Sequence, residues 1–149
     1  MRFGILILAA AAAFAQSNVL SVAPVHKLRV KRGEAATLKV TAQLQAGYHV
    51  NSNKPNEDYL IPLKLSWTSE PLQVAEVAYP KAETEKASFS DKPLSVYSGS
   101  FDIVTTFKVP ASAPNGMAIV SGKLRYQACN DRLCLPPKTV DVPVTVDIQ

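Results

Sequence analysis

Histidine, cysteine, tryptophan and long apolar runs are all scarce in this sequence, and each shortage removes a class of function. There are two histidines, His26 and His49, and two cysteines, Cys129 and Cys134, in 149 residues. That set is poor for a zinc centre, which takes N and S ligands at close spacing, so no metal site is expected. The six glycines form no phosphate-cradling loop. No serine-triad motif is present, and Glu83 and Glu85 lie in a polar stretch with no histidine beside them, so a hydrolase is not supported. Lysines and arginines are scattered, with no basic stripe and no interleaved aromatics, which argues against nucleic acid as a partner. After Ala15 nothing is long and apolar enough to cross a bilayer.

What is present begins with a leader. Met1-Arg2-Phe3 carries one positive charge, Gly4 to Phe14 is apolar, and Ala13-Phe14-Ala15 fits the small-x-small rule for signal-peptidase cleavage. A signal peptide over 1–15 is therefore expected, leaving 16–149 as one exported, soluble domain. No cysteine follows the apolar run, so no lipid anchor is expected. Hydrophobic residues make up 47% and charged residues 19%, enough apolar side chain for a packed core. Loss of Arg2 with the leader lowers the formal charge of +4 by one, a mild excess.

The mature chain alternates with period two almost throughout. Leu38, Val40, Ala42 and Leu44 share one face of a half-buried strand, with Thr37, Lys39, Thr41 and Gln43 on the other. Val19 to Val30, Leu63 to Trp67, Val74 to Tyr79, Phe101 to Val109, Met117 to Tyr126 and Val140 to Ile148 follow the same rule. Pro143 lacks an N–H, so the last strand should have a free side there. Trp67 is expected in the core. Pro80 to Pro93 is the one long polar segment and reads as a surface loop of the kind that carries function. Roughly seven to nine short strands with frequent turn signals and no helical period predict an all-β protein, an immunoglobulin-like antiparallel β-sandwich.

The cysteines stand between two such strands, in Tyr126-Gln127-Ala128-Cys129-Asn130-Asp131-Arg132-Leu133-Cys134-Leu135-Pro136-Pro137. In an exported protein a pair this close will join across the hairpin. As a staple it does little: closing a loop of about six residues is worth only about 2 kcal/mol. A pair at a loop tip is also open to a partner's thiol, and Arg132, with Arg125 and Lys138 nearby, favours a thiolate. On the residues alone, a redox pair and a structural bridge both stay open, with metal binding the least supported.

Tyr126-Gln127-Ala128-Cys129, then Cys134 with Pro136-Pro137 close behind, resembles the active-site hairpin of the N-terminal periplasmic domain of the thiol:disulfide interchange protein DsbD. Gly47-Tyr48-His49-Val50-Asn51-Ser52-Asn53-Lys54-Pro55 and Leu60-Ile61-Pro62-Leu63 are similar to early strands of that family, and the likeness runs from Val19 to Val146. The resemblance implies an immunoglobulin-like fold and a catalytic pair, Cys129 and Cys134. That pair would take electrons from a thioredoxin-like donor and pass them to oxidised periplasmic proteins, without a cofactor. It implies that Cys134 forms the mixed disulfide with partners and that Cys129 resolves it. It also implies an aromatic cap over the disulfide, with Phe89, followed by Tyr97, in the corresponding segment. Family members continue into a membrane electron conduit and a thioredoxin domain. This chain stops at Gln149, so a separate protein is the expected electron source. A link to cytochrome c biogenesis follows from the same likeness.

Phe89 is as readily an ordinary anchor of a long loop as a cap. Tyr126 could lend its hydroxyl to the site, but it alternates with Leu124 and fits the core equally well. His49 could transfer protons; a hydrogen-bonded strand histidine is the plainer reading. The competing function is a non-catalytic periplasmic binding or assembly module, with a structural disulfide and a sheet edge that adds a partner strand.

Overall fold

The computed structural model describes residues 18–149; the expected leader at 1–15 lies outside them. The described residues form twelve strands and no helix, so the all-β expectation holds while the strand count was low. The expected run from Val19 to Val30 divides around Ala23 to Lys27 into β1 (Leu20–Val22) and β2 (Leu28–Val30). Then come β3 (Ala35–Leu44), β4 (His49–Asn51), β5 (Lys64–Thr68) and β6 (Gln73–Ala78). The polar segment is not all loop: β7 (Glu83–Glu85) lies inside it, and β8 (Leu94–Ser98), unmarked by any alternation, follows it. The chain closes with β9 (Ser100–Lys108), β10 (Gly116–Tyr126), β11 (Ala128–Cys129) and β12 (Lys138–Ile148).

These strands make three sheets, ordered β1-β3-β9-β6, β2-β12-β10-β5 and β11-β4-β8-β7. All pairings are antiparallel except β2 on β12, which is parallel. Pro143 stands opposite Ser121 of β10, and β2 pairs only from Val146 onward, so the side lacking an N–H meets no ladder.

The first two sheets enclose the main core. Their inward rows are the alternating residues of the sequence: Leu38, Val40 and Ala42 of β3; Phe101, Ile103 and Phe107 of β9; Val120 and Leu124 of β10; Val142, Val144 and Val146 of β12. Apart from Ala42, each such side chain is worth about 1.5–3 kcal/mol when fully buried. Trp67 lies at the margin rather than inside. It is half-buried, meets Phe107 edge-on at 5.3 Å, and donates its indole N–H to Thr105 Oγ1 at 3.0 Å. Its cross-strand partner is Gly122, where a Cβ would come within 2.8 Å of the indole ring.

The third sheet positions the site. At Gly47 (φ 84°) the chain turns out of β3 and enters β4, a left-handed conformation that glycine adopts without strain. Val50, Tyr97 and Ala128 share one face of this sheet and belong to the main core. The opposite face carries His49, Asn51, Cys129, Leu94 and Val96, because side chains alternate across a strand.

Candidate functional site

At Gln127 the chain leaves the main sandwich. Tyr126 still pairs with Lys138 of β12, whereas Ala128 and Cys129 pair with Val50 and His49 of β4. The turn that follows closes itself. Asn130 Oδ1 accepts from the backbone N–H groups of Arg132 and Leu133, both at 2.9 Å, and the Asn130 N–H donates to the Leu133 carbonyl at 2.9 Å. The Leu135 N–H donates to the Ala128 carbonyl at 2.8 Å, which completes a short antiparallel bridge. Cys129 and Cys134 face each other across it as a disulfide, with α-carbons 4.0 Å apart. Four hydrogen bonds, two between backbone groups and two to the Asn130 side chain, hold this loop without the sulfurs, so the bridge has little left to staple.

The two sulfurs have unequal surroundings. Cys129 is 0% exposed. Cys134 is half-buried and lies at the rim of a groove lined by Tyr59, Leu60, Phe89, Gln127, Arg132 and Leu133. Tyr59 is 64% and Leu133 50% exposed, and both line the groove that Cys134 reaches.

A second, small core covers the sheet face that bears Cys129. Leu60, Leu94 and Val96 are its buried members, and Ala87 and Phe89 pack on them half-buried. Phe89 thus packs on the small core and also lines the groove with Cys134. The neighbouring Ser88 hydroxyl donates to the Asp131 carbonyl at 2.6 Å, tying the segment to the tip of the cysteine loop.

Tyr97 and Tyr126 stand elsewhere. Both are buried in the main core, and Tyr97 is on the face of the third sheet opposite Cys129. The Tyr97 ring lies 5.0 Å from Phe101, and its hydroxyl sits 2.8 Å from Asn53 Oδ1 and 2.9 Å from the Pro80 carbonyl, at the root of the polar segment. Burial raises the pKa of both phenols; for Tyr97 the Asn53 contact partly opposes it, and for Tyr126 the nearby Leu20 backbone does.

The contacts that tie this neighbourhood together gave no local signal in the sequence. Gln127 Oε1 accepts from Asn51 Nδ2 at 3.0 Å and from the Ile61 N–H at 3.2 Å, and Asn51 Nδ2 also donates to the Ile61 carbonyl at 2.9 Å. These bonds lock the cysteine strand to β4 and to the loop before β5. His49 Nδ1 lies 3.5 Å from Glu85 Oε2 of β7. Burial lowers the His49 pKa, and the Glu85 charge partly opposes that shift. Only the position of Gln127 inside the Tyr-Gln-x-Cys pattern could have marked it. Among the described residues no group of three or more His, Cys, Asp or Glu side chains is placed to hold a metal ion.

The family model of the thiol:disulfide interchange protein DsbD, N-terminal, matches residues 16–145. Among solved structures, the N-terminal periplasmic domain of ScsB from Proteus mirabilis is similar in fold, with a TM-score of 0.52 at 12% identity. The match covers 86% of this chain and 44% of that one, so this chain spans under half the length of that domain's chain. A chain of a type I cohesin–dockerin complex from Clostridium thermocellum matches with a TM-score of 0.43 at 12% identity, over 89% of this chain and 100% of that one. No curated protein matches the chain.

Proposed function

We propose, since this chain belongs to the family of DsbD N-terminal domains, that it is an exported thiol–disulfide interchange protein acting in the periplasm. Its Cys129–Cys134 pair passes electrons from a thioredoxin-like donor to oxidised exported proteins. The unequal burial of the two sulfurs carries this reading: one faces the groove and the other is wholly enclosed. A donor thiolate attacks Cys134 Sγ. The Cys129–Cys134 bond breaks, and its electron pair leaves on Cys129 Sγ. A second donor thiol then attacks the mixed disulfide, which oxidises the donor and leaves both cysteines reduced. The reduced pair hands its electrons to an acceptor disulfide by the same two displacements, with Cys134 attacking and Cys129 resolving. Phe89 is the cap that a docking partner displaces, and Tyr59 and Leu133 offer it apolar contact.

The alternative, a binding module with an inert bridge, draws on a different surface. Met117 and Ile119 of β10 are 60% and 68% exposed, beyond the stretch of β10 that β5 pairs. The two readings separate on one experiment. The Cys129→Ser variant, treated with an oxidised thioredoxin-like protein, should accumulate a disulfide-linked adduct through Cys134. The native pair should also show a potential in the range of exchange catalysts. No adduct, together with a potential below about −300 mV as in inert structural bridges, would leave the binding module standing.

A further inference from the structure

Buried Cys129 poses a chemical difficulty that Cys134, at the groove, does not. To resolve a mixed disulfide it must lose a proton, and an ordinary thiol near pKa 8.5 is only a few per cent ionised at pH 7. A thiol enclosed among apolar groups ionises less readily still. Cys129 is 0% exposed, so solvent is poorly placed to take that proton.

His49 is buried on the same sheet face. It is directly opposed to Cys129 of β11 on one side and to Ser98 of β8 on the other, and directly opposed residues have Cβ atoms about 4.5–5.5 Å apart. The imidazole is fixed from one end: Nδ1 lies 3.5 Å from Glu85 Oε2. A carboxylate beside Nδ1 favours the tautomer with its proton there and leaves a lone pair on Nε2. Nε2 is buried and has no hydrogen-bond partner among the described residues. A buried acceptor without a partner normally costs about 1–3 kcal/mol, so its retention beside a redox sulfur calls for a use.

We propose that His49 accepts and returns the proton of Cys129 during disulfide exchange, with Glu85 as its positioning residue; this rests on the exchange reading above. With a partner joined to Cys134, the Cys129 thiol proton passes to His49 Nε2. Cys129 Sγ attacks Cys134 Sγ, the bond from Cys134 to the partner breaks, and its electron pair leaves on the partner's sulfur. That sulfur is protonated by solvent, and His49 gives up its extra proton to solvent. Over the whole exchange the cysteine pair loses two electrons and two protons, and the partner's disulfide gains them. In the opposite direction protonated His49 returns its proton to the departing Cys129 thiolate.

The electrostatics suit a base. Burial lowers the His49 pKa and Glu85 limits the shift, so the ring is neutral near pH 7. The groups that face it are Cys129 from β11, Ser98 from β8, and Glu83 and Glu85 from β7, with Ser98 donating to Glu83 Oε2 at 3.0 Å. None of these is cationic, so nothing among them opposes proton uptake by the imidazole.

A chromogenic aryl disulfide mixed with the reduced full chain tests the idea without any protein partner. The first arylthiolate is released when Cys134 attacks, and the second when Cys129 resolves. His49→Gln should leave the first phase unchanged, slow the second by about tenfold or more at pH 7, and move the pH midpoint of the second phase upward. Glu85→Gln, at a half-exposed position, should slow the second phase by a smaller factor and shift the same midpoint. A second phase unaltered by His49→Gln overturns the proposal. Should that variant not fold, an unmoved pH midpoint in Glu85→Gln overturns it. Failure of the exchange function itself would show separately, as absence of the protein adduct through Cys134.

Discussion

The main sandwich and the third sheet are built from the same chain by opposite rules. The sandwich uses long strands: β3, β9, β10 and β12 run 10, 9, 11 and 11 residues, and nearly everything they bury is apolar. The third sheet uses β4, β7, β8 and β11, of 3, 3, 5 and 2 residues. Among the described residues the buried polar ones are His49, Asn51, Ser52 and Thr105, and of these Thr105 alone lies outside this sheet and its margin. The third sheet's own apolar cluster has three buried members. Apolar burial is therefore concentrated in the sandwich, and the proposed reactive pair and cap sit on the thinner sheet, where local opening should cost less.

A deep core truncation should separate the two regions most strongly. Phe107 is 0% exposed and meets Trp67 edge-on. Phe107→Ala should destabilise by about 3–5 kcal/mol in denaturant unfolding. Under conditions where the variant is still folded, its rate of exchange with a small disulfide should match the parent's. A parallel loss of exchange rate would mean that the sandwich and the site are one cooperative unit.

The same division explains which parts could be foreseen. Thr37 to Leu44 and Val140 to Ile148 bury one face only, so their alternation is plain in the sequence. His49–Asn51 is buried at every position, and Leu94–Ser98 faces the main core through Tyr97 and the small core through Leu94 and Val96. A strand covered on both sides loses the period-two pattern, which is why β8 left no trace. The cysteines and Phe89 stood out through local spacing and a family pattern. The Ser88 contact to Asp131 spans 43 residues, and the contacts of His49 with Glu85 and of Gln127 with Ile61 are also long-range, so no local motif encodes them. The place of Tyr126 beside Cys129 in that pattern, and of Tyr97 after Phe89, says nothing about which face of a strand they occupy. Both turned inward.

Titration should assign one pH limb to each region, an effect smaller than the core truncation. His49 is disfavoured as a cation in the folded state, so between its unfolded pKa near 6.5 and its lower folded value the unfolded chain binds more protons. Its contribution is intact above pH 6.5 and is lost as pH falls below it. Tyr97 and Tyr126 have pKa values raised above 10.0, so their contribution is intact below pH 10.0 and is lost as pH rises beyond it. Unfolding free energy measured across pH should show both limbs. His49→Gln should flatten the acid limb alone. Flattening of the alkaline limb in that variant would deny that the two regions titrate independently.

The finest test removes the ring that sits between the small core and the groove. Phe89 is half-buried and packs on Leu60, Leu94 and Val96. Partial burial of this kind is worth about 1 kcal/mol, against the several attached to Phe107. Phe89→Ala should therefore barely shift the melting temperature. Its effect should appear in chemistry instead: with the ring gone, Cys134 loses one wall of its groove, and the reduced thiols should alkylate faster. The Ser88 bond to Asp131 would still hold the backbone of the segment, so the change isolates the ring from the loop that carries it. An alkylation rate equal to the parent's would make Phe89 a plain loop anchor.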